Sequence, residues 1–159
     1  MSAKLIGAIC AITLALVFYT IGVFGERKAH TLRKKDLILF YAGLVCDTTG
    51  TSIMASIAQT NPAVADADLT LHAITGGAAI LFMLFHAAWA TFVYFKGTDQ
   101  AKEKFHKFSG IVWCFWLIPY ICGVFIGSPM PIKGIAAFMI SVVIAALVYI
   151  LTIRPKQKA

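Results

Sequence analysis

The chain has 159 residues, 60% of them hydrophobic and only 13% charged, with a mean hydropathy of +0.83. That is length for one domain, and a soluble domain carries about twice that share of charge, so a water-facing globule is excluded. The formal net charge of +7 would point to nucleic acid in a soluble protein. Here basic residues flanking membrane spans account for it, and no nucleic-acid partner is expected.

A helix needs about 20 apolar residues to cross a hydrocarbon core, and five segments qualify: 4–24, 37–58, 70–95, 108–127 and 134–153. Backbone in lipid must satisfy its own hydrogen bonds, so these are read as helices. The fold expected is an all-α bundle of five transmembrane helices forming one domain over residues 1–159. The first run could be mistaken for a signal peptide, but it is too long for one and no A-x-A site follows. The basic run from Glu26 to Lys35 follows instead, a stop-transfer pattern.

The second span carries Asp47 near its middle, within Cys46-Asp47-Thr48-Thr49-Gly50-Thr51-Ser52. Asn61-Pro62 then marks a turn, and Asp68 or Thr70 is placed to cap the third helix. The third span carries His72 and His86. Fourteen residues fall roughly 40° short of about four turns, so both face one way, about 21 Å apart along the axis. Gly76, Ala79 and Met83 lie between them on that face, with Ala90 beyond. Such small residues leave room for a flat ligand, or let another helix approach. His106 stands at the mouth of the fourth span. That span is rich in aromatics, among them Trp113, Trp116 and Tyr120, and holds Pro119, which is expected to kink it. Turn chemistry at 128–131 leads to the fifth span and a basic tail.

An ionisable residue inside a membrane is a functional hypothesis by default. His72, His86 and Asp47 are the three, and each also has a bland reading as a structural hydrogen-bonding group. Two histidines about four turns apart on one helix resemble the haem-bearing helix of membrane b-type cytochromes. They cannot ligate one iron, so each haem would take a second ligand from another helix or subunit, or remain five-coordinate. Met54 and Met139 are candidates near His72, although methionine in a core is usually packing. Counted from the ends of their spans, Asp47 and His86 lie at similar depth. A hydrogen bond between them could orient an iron ligand or form a proton site without a cofactor. Trp116 and Tyr120 could wall a planar cofactor or simply pack. Cys10, Cys46, Cys114 and Cys122 sit in apolar runs without metal-ligand spacing and are read as small hydrophobes. No phosphate-binding loop, dinucleotide glycine pattern, H-E-x-x-H, nucleophile elbow or lipidation signal is present, and no enzymatic activity is expected.

Several of these residues together resemble a known family. They are Leu71-His72, Gly76-Gly77, Phe85-His86-Ala87-Ala88-Trp89-Ala90, Phe105-His106-Lys107-Phe108-Ser109 and Trp113-Cys114-Phe115-Trp116-Leu117-Ile118-Pro119-Tyr120. With the size and span count, they are similar to the bacterial HsmA family of haem-sensing membrane proteins. The resemblance is best over spans three and four. It implies a protein that binds haem b, limits haem toxicity and supports oxidative-stress defence. By position rather than by resemblance, the candidate cofactor site comprises His72, His86, His106, Gly76 and Asp47, with His72 and His86 as iron ligands. The alternatives are a cytochrome b-type electron-transfer subunit with a redox partner, and a cofactor-free proton-coupled protein using Asp47 and His86. A homo-oligomer would be a further source of ligands.

Orientation follows from the basic residues. Twelve of the fourteen fall in segments 25–36, 96–107 and 154–159, and only Lys4 and Lys133 fall on the other side. This predicts an external N-terminus and a cytoplasmic C-terminus in a bacterial cytoplasmic membrane. Reporter fusions after residues 30, 64, 100, 130 and 159 are expected to alternate inside and outside, starting inside. A C-terminal reporter active outside would overturn the five-span topology.

Overall fold

The computed structural model describes residues 2–60, 67–128 and 134–153. Among them the chain forms α1 (Ala3–Ala29), α2 (Lys34–Thr60), α3 (Ala67–Lys96), α4 (Asp99–Gly127) and α5 (Gly134–Val148). α5 runs on as a π-helical turn over Tyr149–Ile153. Counted with that turn, each of the five is long and apolar enough to cross a membrane.

The helices outrun the expected spans where the charges lie. α1 continues through Glu26, Arg27 and Lys28, and α4 begins at Asp99 instead of near 108. The basic segments expected as loops therefore shrink to residues 30–33 and to Gly97-Thr98. Charge does not end a helix, because the backbone satisfies itself equally well in water; caps end it. His30 closes α1 in the left-handed region at φ 52°, its N–H donating to the Arg27 carbonyl. The Thr98 hydroxyl opens α4 by accepting from the Ala101 N–H at 3.3 Å. α3 starts at Ala67, ahead of both expected caps, Asp68 and Thr70. The Asn61-Pro62 turn and residues 129–131 lie outside the described residues. Pro119 sits inside α4 without ending it.

α1 and α2 form the most intimate pair, antiparallel along a seven-residue rhythm of small residues. Ala8, Ala15 and Gly22 are buried on one helix, Gly43 and Gly50 on the other. At Gly50 a Cβ would lie 3.0 Å from the Ala8 carbonyl oxygen and 2.5 Å from Ile12. At Gly43 it would lie 2.5 Å from the Tyr19 ring. Small residues at matched heights let the backbones approach, which is how helices gain contact where apolar surroundings supply no hydrophobic drive. α3 and α4 form a second antiparallel pair, with His72 against Gly123 and His86 against Ser109. α1 also crosses α4 through Tyr19 and Trp116. The outward surface is apolar: Ile74 is 67% exposed, Phe95 71% and Leu151 77%. A soluble monomer rarely shows such a collar.

The glycines fall into two kinds, which gives a test. Gly50→Ala drives a methyl into the Ala8 backbone and is expected to destabilise by about 1–3 kcal/mol. Gly76 has nothing within 4 Å of where a Cβ would stand, so Gly76→Ala is expected to be neutral or stabilising by roughly 0.5–1 kcal/mol. Reversible unfolding in mixed detergent measures both. Equal destabilisation would refute the assigned α1–α2 contact.

Candidate functional site

Two buried polar layers cross the bundle, separated along its length. The first centres on Asp47 of α2, which is 4% exposed. The Trp116 indole N–H donates to its Oδ2 at 2.7 Å. Tyr19 stands edge-on to Trp116, ring centroids 5.2 Å apart, and turns its hydroxyl toward the same carboxyl without a hydrogen bond of good geometry. Trp116 in turn stacks on Tyr120 at 5.4 Å. The aromatics of α4 that could have walled a cofactor thus pack around a carboxyl. One charge-assisted hydrogen bond from a buried donor is the bond a carboxyl in this setting most needs.

The second layer lies at the basic end. His86, fully buried, places Nε2 2.9 Å from the Ser109 hydroxyl of α4. Its ring meets Phe40 edge-on at 4.5 Å and stacks on Phe105 at 5.2 Å, with Phe108 at 6.1 Å. Ser109 also borders the carboxyl of Glu26. Glu26 is 0% exposed, and neither of its oxygens makes a hydrogen bond to a described residue. His106 Nδ1 stands 3.9 Å from Glu26 Oε2. The nearby Arg27 spends its guanidinium on backbone carbonyls, those of Ile153 at 2.8 Å and His106 at 3.3 Å. Asp36, also buried, is held bidentately by Arg33 at 2.9 and 3.0 Å.

The expected Asp47–His86 pair is therefore not formed. The α2 residue at the height of His86 is Phe40, and Asp47 lies seven residues, about 10 Å, further along the helix. Counting depth from the ends of the apolar runs failed because charged residues continue the helices by unequal amounts. Glu26 was missed for the same reason, having been assigned to a loop, whereas Ser109 lay inside the expected fourth span but, being uncharged, carried no signal of its own. A signal did exist: Ile12, Tyr19 and Glu26 share the seven-residue rhythm of the α1 face that meets α2.

His72 and His86 do face the same way, both toward α4, but their surroundings differ. His72 is half-buried, with a ring carbon 2.9 Å from where a Cβ on Gly123 would stand. Its Nδ1 is buried with no hydrogen-bond partner among the described residues. Gly76, one turn on, faces open space. Met54 and Met139 point away from the bundle, 36% and 55% exposed. His106 lines a cleft of about 370 Å³ together with Arg27, His30, Lys107, Ile111 and Tyr149 among others. A larger groove of about 730 Å³ between α2 and α3 is apolar except for Lys34. Cys114 and Cys122 are buried, Cys46 is half-buried and Cys10 faces outward, and none of the four forms a disulfide. Among the described residues, no three His, Cys, Asp or Glu side chains gather as a metal site. The five candidate residues are thus divided: Asp47 in one layer, His86 and His106 in the other, His72 and Gly76 beyond both.

Comparison with family models, with curated proteins and with solved structures finds no match.

The Asp47 layer makes a stability prediction. Trp116→Phe keeps the packing surface but strands a buried acceptor, and is expected to cost about 1–3 kcal/mol. Asp47→Asn keeps an acceptor for the indole and is expected to cost less. The measurement is unfolding in mixed detergent; a Trp116→Phe protein as stable as wild type would show that the bond is not needed.

Proposed function

We propose that this chain is a haem-binding protein of the bacterial cytoplasmic membrane that captures haem b, limits its toxicity and supports oxidative-stress defence. Its N-terminus lies outside and its C-terminus in the cytoplasm. The orientation rests on charge: the described basic residues from Arg27 to Lys35 and from Lys96 to Lys107 stand at one end of the bundle, and Lys4 stands at the other. The functional reading rests on the resemblance of spans three and four to the HsmA family.

One observation of geometry carries the site: the buried Nδ1 of His72, without a hydrogen-bond partner among the described residues, one turn from the space at Gly76. A neutral imidazole with a nitrogen to spare is a usual haem ligand. His86 does not fit that role, because its Nε2 is engaged by Ser109 and its ring is enclosed by Phe40, Phe105 and Phe108. His72 is therefore the single iron ligand proposed. Haem supplies the iron. The chain supplies the imidazole, the glycine at 76 that admits a flat ring, and apolar neighbours that keep water away. The electron-transfer reading asks for a second axial ligand and a partner subunit, and no observation favours it.

Haem titrated into the purified, folded protein is expected to give a saturable absorption band in the Soret region. His72→Ala is expected to weaken binding by at least about tenfold, the scale on which even outer-shell changes act at metal sites. His86→Ala and His106→Ala are expected to bind as wild type once shown to be folded. Absence of saturable binding in the wild type ends the haem reading. Loss confined to His106→Ala would move the site to the basic end.

A further inference from the structure

The histidine that does not suit iron belongs to a different arrangement. Glu26, Ser109, His86 and His106 come from α1, α3 and α4 and meet in one buried cluster. We propose that this cluster is a proton-binding site, centred on the Glu26 carboxyl and filled from the basic end of the bundle through His106. It uses neither His72 nor Gly76, the residues proposed to hold haem, and stands whether or not haem binds.

The geometry supplies three parts. The first is an acceptor withdrawn from water. A carboxylate buried without a partner is costly, so such a group takes up a proton or pairs with a cation. Glu26 is fully buried, and its two oxygens lack hydrogen bonds to described residues. Among the described residues no Arg or Lys pairs with it directly, although Arg27 acts on it at a distance. On its own helix, Arg27 is turned to the carbonyls of Ile153 and His106. From α2, Asp36 adds negative charge that Arg33 already pairs. From α4 come His106 and the Ser109 hydroxyl, and from α3 comes His86, behind that hydroxyl.

The second part is a donor at the rim of a cleft. His106 is 13% exposed in its side chain and lines the cationic cleft with Arg27, His30 and Lys107, with both ring nitrogens turned inward and buried. Its Nδ1 lies 3.9 Å from Glu26 Oε2, a gap that a small rotation of the ring closes to hydrogen-bond reach. In the step, imidazolium Nδ1–H breaks and Oε2–H forms. The imidazole becomes neutral, the carboxylate becomes a carboxyl, and a hydronium ion reaching the cleft from bulk solvent returns a proton to the imidazole and leaves water. No electrons change hands.

The third part is an end to the path. Ser109 can accept from the Glu26 carboxyl while donating to His86 Nε2 at 2.9 Å. His86 is sealed by Phe40 and Phe105, and its Nδ1 meets no hydrogen-bond partner among the described residues. The cluster therefore opens toward one end only, and it stores a proton without passing it across the bundle.

Infrared spectroscopy of the haem-free full-length protein tests this through the carbonyl stretch of a water-excluded, protonated carboxyl. The wild type is expected to show that band at neutral pH, to lose it on raising the pH and to shift it in heavy water. Glu26→Gln should remove the band, while Asp47→Asn should leave the Glu26 contribution in place. His106→Phe should retain it but slow its exchange with heavy water by about a hundredfold, the scale of a positioned proton carrier. A band left undiminished by Glu26→Gln overturns the proposal, as does wild-type exchange in His106→Phe. If Glu26→Gln does not fold, Ser109→Ala decides. Loss of the hydroxyl should shift the band, and an unshifted band overturns the assignment.

Discussion

α1 and α2 meet where neither backbone has room for a side chain, and the rest of the bundle is set by that contact. With Gly22 under the Phe40 ring, Gly43 under Tyr19 and Gly50 against Ala8 and Ile12, the two helices are locked in register over most of their length. Dispersion between closely packed atoms is small per pair and large in sum. In apolar surroundings, where burial itself gains little, it is the main source of cohesion available. The register then places Tyr19 to meet Trp116 and Phe40 to meet His86. It also brings the buried carboxyls of Glu26 and Asp36 together near the end of the hairpin. Every polar layer described above hangs on this one pairing.

Low dielectric makes hydrogen bonds stronger and missing ones more costly. The bundle answers that constraint differently at its two levels. Asp47 receives an indole N–H at 2.7 Å and sits inside an aromatic ring of contacts, an arrangement suited to holding α1, α2 and α4 together. Glu26 receives no comparable donor, although Arg27 is adjacent in sequence and is spent on helix ends instead. Arg27 reaches the carbonyl of Ile153, at the end of the π turn, so it ties the C-terminal helix to α1. An arginine committed to structure beside a carboxyl left without one separates stability from chemistry within a few ångströms.

The face of α3 shows how identical residues on one helix diverge. His72 and His86 both point at α4, and the antiparallel register sets one against Gly123 and the other against Ser109. A glycine offers no hydrogen bond from a side chain and leaves the imidazole's nitrogen unsatisfied. A serine offers a hydroxyl and closes the imidazole in. The difference between a candidate ligand and an insulated hydrogen-bonding group is thus made by α4.

Much of the architecture could be read directly from the residues. Five apolar runs of sufficient length, the scarcity of charge within them and the bias of lysine and arginine to alternate connections follow from solvation of single segments, which is a property of local composition. The shared face of His72 and His86 follows from helical periodicity alone. Contacts between helices did not follow, because relative height depends on where each helix ends and how it packs. Asp47 was matched with His86 on depth, whereas packing gave it to Trp116 and set Phe40 against the histidine. Glu26 looked like a loop charge because hydropathy falls at that point, yet the helix continues and the α1–α2 seam carries it into the interior. Composition determines which segments are apolar enough to leave water; the tertiary fit of their side chains decides which polar groups meet.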